Sequence, residues 1–594
     1  MFFKPAPPRP WPAPPARPAQ IPVEESRGSY HPATAMREPA RQLRAPDVAA
    51  TAMPVAPPLA TLVLNRAAFG PTPDQAAEFA ALGADDDARL VAWVDQQLAP
   101  QSIADADCDA RLASSGYVTL GKSLAQSWND HFVPADLPWE VRQQPATESE
   151  LATWTRAVYS RRQLFESMVH FWHNHFSLYA YDFVEGTTFG DYDRSAIRAH
   201  ALGNFRAMAE AVARSPAMLT FLDNAVNFAE DGAGYSNENY SRELLELHLL
   251  GAESSYGKVG RAEVPVDGDG TPVGYCEADV QDLARALTGW TFDLDWISWA
   301  WGGGNSGQFV FVDSLHSTEA KTLLGTTMPA GRGAQQDGQQ ALDLLCSHPA
   351  CGRFLARKLL RRFVCDFPDQ TCPTLLASTA ALFTSLWQDP AQIREVMRHI
   401  LLSVEFRSVW GEKIKRPFEI AVSAMRAGAI DFRFYQQVPY PEDWTSWHPD
   451  FDDTATLHWM FEGAGQELFG WHPPNGHPDV RAAWQAANPR VTLWKVVNWL
   501  VEVQDGNDGW RLDALAQTPA AARTAEELVD FWLPRLLQRE VDPVQRTEFV
   551  EFMAQGFNPT FDLPLDSNDW PYYWQDRVRA LVGLIFMSPG FLWR

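Results

Sequence analysis

The sequence predicts a mainly α fold: one large multi-helix domain with long loops, preceded by a disordered proline-rich tail. Three observations predict it. From about Thr61 to the C-terminus, apolar residues recur at three- and four-residue intervals, the period of helices that bury one face. Strand-like alternation is scarce, and no repeat of about 20–50 residues suggests a solenoid. Residues 1–57, by contrast, are rich in Pro, Ala and Arg without any apolar period, a composition that cannot bury a core.

Taken in order, the helical periods fall at Pro73–Leu82, Arg89–Leu98, Glu148–His173, Ser195–Ser215, Asn239–Leu250, Ala278–Leu287, Gln335–Leu345, Cys351–Phe363, Leu375–Gln388, Ala391–Leu402 and Pro417–Ala427. A C-terminal lobe from about residue 430 would hold Ala525–Leu536, Pro543–Gln555 and Trp570–Met587. Gly251 and Gly289 stand where glycines end helices. Val264–Gly274, and Asp293 to about Thr327 with its Gly302–Gly307 turn, read as loops or short hairpins.

Composition narrows the function classes. The 594 residues are 46% hydrophobic and 21% charged, enough to bury a sizeable core. A formal charge of −25 argues against nucleic acid and anionic membrane surfaces, which want basic patches. No run of about 20 apolar residues predicts a membrane-spanning helix, and the N-terminus lacks the apolar stretch of a signal peptide. The 24 tryptophans suit large helical cores and equally the stacking of sugars. Six cysteines form no Cys-x-x-Cys pair, so a zinc ribbon is not expected. Cys365 with Cys372, and Cys346 with Cys351, are either local disulfides or buried thiols. Gly-x-Ser-x-Gly, His-Glu-x-x-His and phosphate-loop patterns are missing, and the Gly302–Gly307 run has no helix opening behind it.

Two constellations carry candidate chemistry. The first is Asn237-Glu-Asn-Tyr-Ser-Arg-Glu-Leu-Leu-Glu-Leu-His248. Its leucines fall nearly all round a helical wheel, which predicts a buried helix whose charges need partners. Glu243 and Glu246 share one stripe, whereas His248 lies about 140° away from Glu243. The second is Glu166-x-x-x-His170-x-x-His173, a single stripe of one carboxylate and two imidazoles; His175 joins it only where the helix ends near Asn174. N/O donors on adjacent turns suit a divalent transition metal. A site between the two segments would take Glu243 and Glu246 with His170 and His173, or with His173 and His175. The competing reading is a buried ionic network in which Arg242 or Arg285 neutralises the carboxylates. Asp223, Asn224 and Asn227 read as caps and turn formers or as the lining of a pocket mouth. Asp279 and Asp282 read as residues that cap and pair on a helix surface, and His316 and Lys321 as surface-loop groups or as groups that reach a pocket.

Several motifs occur in a fixed order: Arg66-Ala-Ala-Phe-Gly-Pro-Thr-Pro, Phe171-Trp-His-Asn-His-Phe176, the Asn237–Gly251 segment, Asp279 to Trp290, His348-Pro, Pro473-Pro-Asn-Gly-His-Pro and Ser588-Pro-Gly-Phe. Through them the chain resembles the bacterial DUF1800 family from about residue 60 onward. The resemblance implies a large, mostly helical protein, often exported, often encoded beside a sulfatase-like partner, and with His173 and His175 as signature histidines. The chain departs from the family pattern in His316-Ser317 before Lys321, and in the missing export signal.

The functional expectation is a metal-dependent enzyme, hydrolytic or oxidative, acting on a carbohydrate or cell-envelope polymer. Glu166, His170, His173, His175 and Glu243 would supply metal ligands, and Glu243, Glu246, Arg242 and His248 the catalytic groups, with Glu246 accepting a proton. The alternative is a non-catalytic envelope scaffold built on a buried salt-bridge network.

Overall fold

The computed structural model describes residues 55–229, 237–298, 301–438, 440, 442–446, 448–504, 509–569 and 573–594. Most of the predicted proline-rich tail lies outside these residues. Pro54–Arg594 makes one compact unit. Helices dominate it, and among the described residues the strands form two small antiparallel pairs, Trp290–Phe292 with Phe309–Phe311 and Lys321–Leu323 with Thr326–Met328. The second pair and the strand Phe309–Phe311 fall in the segment read as hairpins, to within a residue at its end, whereas Trp290–Phe292 precedes it. Gly302 and Gly307 have positive φ, and Asp293 holds the turn by accepting from the Gly304 and Ser306 amides.

Most helices agree with the sequence periods to within a few residues, and Pro417–Ala427 matches at both ends. The Glu148–His173 period is not one helix. It divides into Trp139–Tyr159 and Gln163–Phe176 because Asp105 captures the intervening turn, accepting from the Ser160 hydroxyl at 2.6 Å and the Arg161 amide at 2.7 Å. The Ser195–Ser215 period also breaks. A π-helical turn at Tyr192–Ile197 and a bend at Gly203 precede Phe205–Ala213, whose cap is Asn204. Two helices lie outside the predicted periods: Pro449–Glu462, whose Phe451, Leu457, Trp459 and Phe461 spread around the axis, and Ala487–Glu502, which buries a regular stripe of Leu493, Val496, Val497, Leu500 and Val501.

Two large apolar clusters sit within the unit. One runs from Val63 to Phe406 and includes the fully buried Trp172 and Leu359. The other gathers residues from Phe418 to Phe591 around Leu151, Trp154 and Val158 of the Trp139–Tyr159 helix. That long helix packs on both clusters, with Ala146 in the first and Leu151 in the second. Asn239–Glu243 continues as a π-helical turn, Leu244–Leu249, whose Leu244, Leu245 and Leu249 are buried; each contributes about 2 kcal/mol of apolar burial. The buried helix agrees with the sequence pattern, but its change of period does not.

Candidate active site

The Gln163–Phe176 helix delivers the histidines. Ser177 adopts a left-handed conformation and closes the helix, its amide donating to the His173 carbonyl at 2.9 Å. A loop from the Pro473–Pro478 motif is stitched onto this helix end. The Ser177 hydroxyl donates to the Pro473 carbonyl at 3.0 Å, the Asn174 amide to the His477 carbonyl at 3.0 Å, and the His477 amide to the Asn174 Oδ1 at 2.9 Å. Gly476 is required here, because a Cβ would lie 2.1 Å from the Asn174 carbonyl oxygen. Two motifs far apart in sequence thus form one wall.

That wall encloses a cleft of about 30 Å³, lined by His170, His173, Asn174, Glu467, Phe469 and His477 among others. The volume suits about one water or ion. His173 Nε2 lies 2.9 Å from Asp193 Oδ1. Asp193 is buried, and although burial opposes its charge, His173 and Arg198 hold it down to about 2. A charged Asp193 takes the Nε2 proton and leaves Nδ1 as the acceptor nitrogen of His173. Asp193 sits in the Tyr192–Ile197 π-turn, a rare feature that often marks a working site.

His170 behaves differently. Burial first, then Arg416, pushes it well below the ordinary imidazole range. The Arg416 guanidinium donates to its Nδ1 at 3.3 Å, so the neutral ring carries its proton on Nε2 and is a donor. Arg416 is fixed in turn by Glu419 at 3.6 Å, and Glu419 also pairs with Arg362 and Arg594 in the buried layer behind. His477 is pushed down to about 4 chiefly by burial. Its Nε2 donates to the Glu467 carbonyl at 3.3 Å, and its Nδ1 is buried without a partner.

Glu467 lines the cleft and also belongs to an adjoining group. The ligand atoms of His458, Glu462 and Glu467 all lie within 4.8 Å of one another. Behind His458, the buried Glu150 carboxylate is 3.2 Å from Nδ1, and the Tyr181 hydroxyl donates to Glu150. His458 Nε2 faces Glu462 Oε1 at 3.3 Å. Glu150 above all, against an opposing contribution from burial, raises His458 to about 11. Burial and the nearby Glu150 and Glu462 charges raise Glu467.

The structure does not assemble Glu166, His170, His173, His175 and Glu243 as one ligand set. Glu166 is gripped by Arg198 at 2.6 and 2.9 Å, which saturates a buried carboxylate. His175 turns the other way, its Nε2 donating to the His248 carbonyl at 3.0 Å. His248 is fully buried beside Phe176, with both ring nitrogens unpartnered, and burial lowers it to about 3. A neutral histidine buried against Phe176 and His175 is closed off from solvent. Glu243, Glu246 and Arg242 form a separate cluster. Arg242 pairs with Glu238, Glu246 and Glu277, while burial and Glu246 push Glu243 up to about 7. Arg285 serves Asp282 and Glu319 instead.

Other sequence readings shift too. His316 and Lys321 are buried on Asp337 rather than exposed on a loop. Asp279 and Asp282 are buried on Arg261, though Asp279 does cap its helix. Asn224 and Asn227 serve backbone carbonyls, whereas Asp223 lines a pocket. Asp193, Glu150, His458, Glu462 and Glu467 carry no motif that singles them out. His477 does lie in the Pro-Pro-Asn-Gly-His-Pro run, and that run was the available signal.

A family model described as "Protein of unknown function (DUF1800)" matches residues 62–593. No curated protein and no solved structure matches the chain.

Proposed function

The chain belongs to the DUF1800 family, and we propose that it is a metal-dependent hydrolase whose ion is held by His458, Glu462 and Glu467. One observation carries this reading: three N/O ligand atoms within 4.8 Å, with the imidazole oriented from behind by a buried carboxylate. Metal-bound histidines usually donate their second nitrogen to such a carboxylate, which fixes the tautomer and strengthens the ligand. Here Glu150, itself held by Tyr181, keeps the proton on Nδ1, and an ion at Nε2 would displace the proton that the metal-free ring shares with Glu462. One imidazole and two carboxylates leave further positions for water and substrate, as catalytic divalent sites require.

A bound ion lowers the pKa of its water toward neutrality. His173 Nδ1 would be the acceptor for that water's proton, with Asp193 orienting the ring and stabilising an imidazolium. His170, held neutral by Arg416, offers Nε2–H to a developing oxyanion. Glu467 is the wall common to the ion group and the cleft. The substrate class we favour is a carbohydrate or other cell-envelope polymer.

A scaffold reading has one observation in its favour: both His458 ring nitrogens already face carboxylates, at 3.2 and 3.3 Å, which makes a metal-free ionic lock. Calorimetry separates the two. Chelator-stripped protein should take up one equivalent of Zn²⁺ or Mn²⁺, and Glu467→Gln should abolish the uptake. Heatless titration of folded wild type would favour the scaffold.

A further inference from the structure

A second cavity, of about 540 Å³, opens near the start of the Trp139–Tyr159 helix. Its volume falls in the range of small-molecule sites. Aromatic side chains form much of it, and two present unusually open faces: Trp296 is 61% and Phe183 42% exposed. Isolated exposed apolar residues need no explanation, but two aromatics lining one concavity do.

Its polar groups are sparse and acidic. Asp223 accepts one hydrogen bond, from Asn239 at 3.0 Å, and has further lone pairs to offer. Asp295 is exposed beside Trp296. The Asn305 oxygens accept from the Trp128 indole at 3.1 and 3.2 Å, which leaves the amide NH₂ as a donor. The Thr220 hydroxyl is buried without a partner. The lining cation, Arg142, is spent on the Phe132, Pro134 and Ala135 carbonyls and stacks over Phe183 at 4.8 Å. An anionic ligand therefore finds no free positive charge.

We propose that this cavity binds a neutral saccharide, with a sugar ring stacked on Trp296 and hydroxyls bonded to Asp223, Asp295 and Asn305. A pyranose joins an apolar C–H face to a rim of hydroxyls, matching an indole plate set among carboxylates and an amide. The proposal deepens the hydrolase reading by naming its substrate class. Continuity with the ion group supports the link. Arg142 and Glu150 lie on one helix, about 12 Å apart along its axis. Tyr181, which holds Glu150, is two residues from Phe183.

The test is a calorimetric titration of the full chain in EDTA with neutral cellohexaose, maltohexaose and chitohexaose, and with the cationic glucosamine hexamer. At least one neutral hexaose should bind, and Trp296→Ala should weaken it by about tenfold. Asp223→Asn should weaken it as well, with an unchanged circular dichroism spectrum. The proposal is overturned if no neutral hexaose binds, if only the cationic hexamer does, or if Trp296→Ala binds as wild type. Because the titration is metal-free, failure here leaves the metal reading standing; loss of metal binding alone leaves this one standing.

Discussion

His458 Nδ1 lies 3.2 Å from the buried carboxylate of Glu150, and this contact orients the ring so that Nε2 faces Glu462 at 3.3 Å. Raised to about 11, the metal-free ring carries a proton on each nitrogen, and an ion at Nε2 would displace the one shared with Glu462 while Nδ1–H stays on Glu150. A ligand is thereby prepared by a residue on a different helix, one that carries no metal-site motif.

If Glu150 prepares His458, removing it weakens metal binding without removing a ligand. Glu150→Gln should lower Zn²⁺ affinity by about 10–100-fold, and Tyr181→Phe by less, with stoichiometry still reaching one at saturation. Competition against a chromogenic chelator reads this directly. Unchanged affinity in Glu150→Gln would show that the carboxylate does not orient the ring.

Asp193→Asn should act on turnover rather than on metal. It keeps the shape but offers His173 an amide in place of a charged acceptor, freeing the wrong tautomer. Once a substrate is in hand, kcat should fall by at least about 100-fold with little change in KM, and metal content should hold. Equal kcat in the variant would remove His173 as the base.

Glu166, a metal ligand by sequence pattern, instead closes on Arg198. Glu166→Ala leaves a buried guanidinium unpaired and should cost about 3–5 kcal/mol by denaturant unfolding, with metal retained. A loss of metal without loss of stability would restore Glu166 as a ligand.

The fold was largely legible in the sequence because apolar periodicity reports helices whatever their partners. Where it failed, tertiary contacts overrode it: Asp105 breaks the Glu148–His173 period from more than fifty residues away. The candidate site was legible only in part. His170 and His173 stand on one face as the wheel predicted, and they do line one cleft. The wheel could not say what faces them. His458, Glu462 and Glu467 arrive from a helix without an apolar stripe and the loop after it, and Asp193 from a π-turn. His248 does face away from Glu243 and Glu246, as the wheel predicted, but the wheel could not show that it is buried against Phe176.

Glu243 supplies a stability test of the other cluster. Its carboxyl is raised from 4.5 to about 7, so the folded state holds the proton more tightly than the unfolded state. Its contribution is therefore fully present below about pH 4.5 and lost as pH rises through about 7. Glu243→Gln should raise Tm relative to wild type above pH 7, with the difference shrinking toward pH 5. A pH-independent difference would mean that Glu243 is charged in both states across this range.

Cys365 and Cys372 are free thiols with Sγ atoms 3.5 Å apart, both buried. Refolding in a glutathione redox buffer should close them into one disulfide, the oxidised glutathione accepting the electrons. Peptide mapping without reductant should then find Cys365 joined to Cys372, and a map with both still free would contradict this.

The most direct measurement is elemental analysis of protein purified without chelator, run on wild type, His458→Ala, Glu467→Gln and His173→Ala together. Wild type and His173→Ala should hold near-stoichiometric divalent metal, and the other two should lose it. Metal retained by His458→Ala but lost by His173→Ala would contradict the assignment and move the ion to the histidine helix. A folded wild type that holds no metal and takes none up would leave the ionic lock in its place.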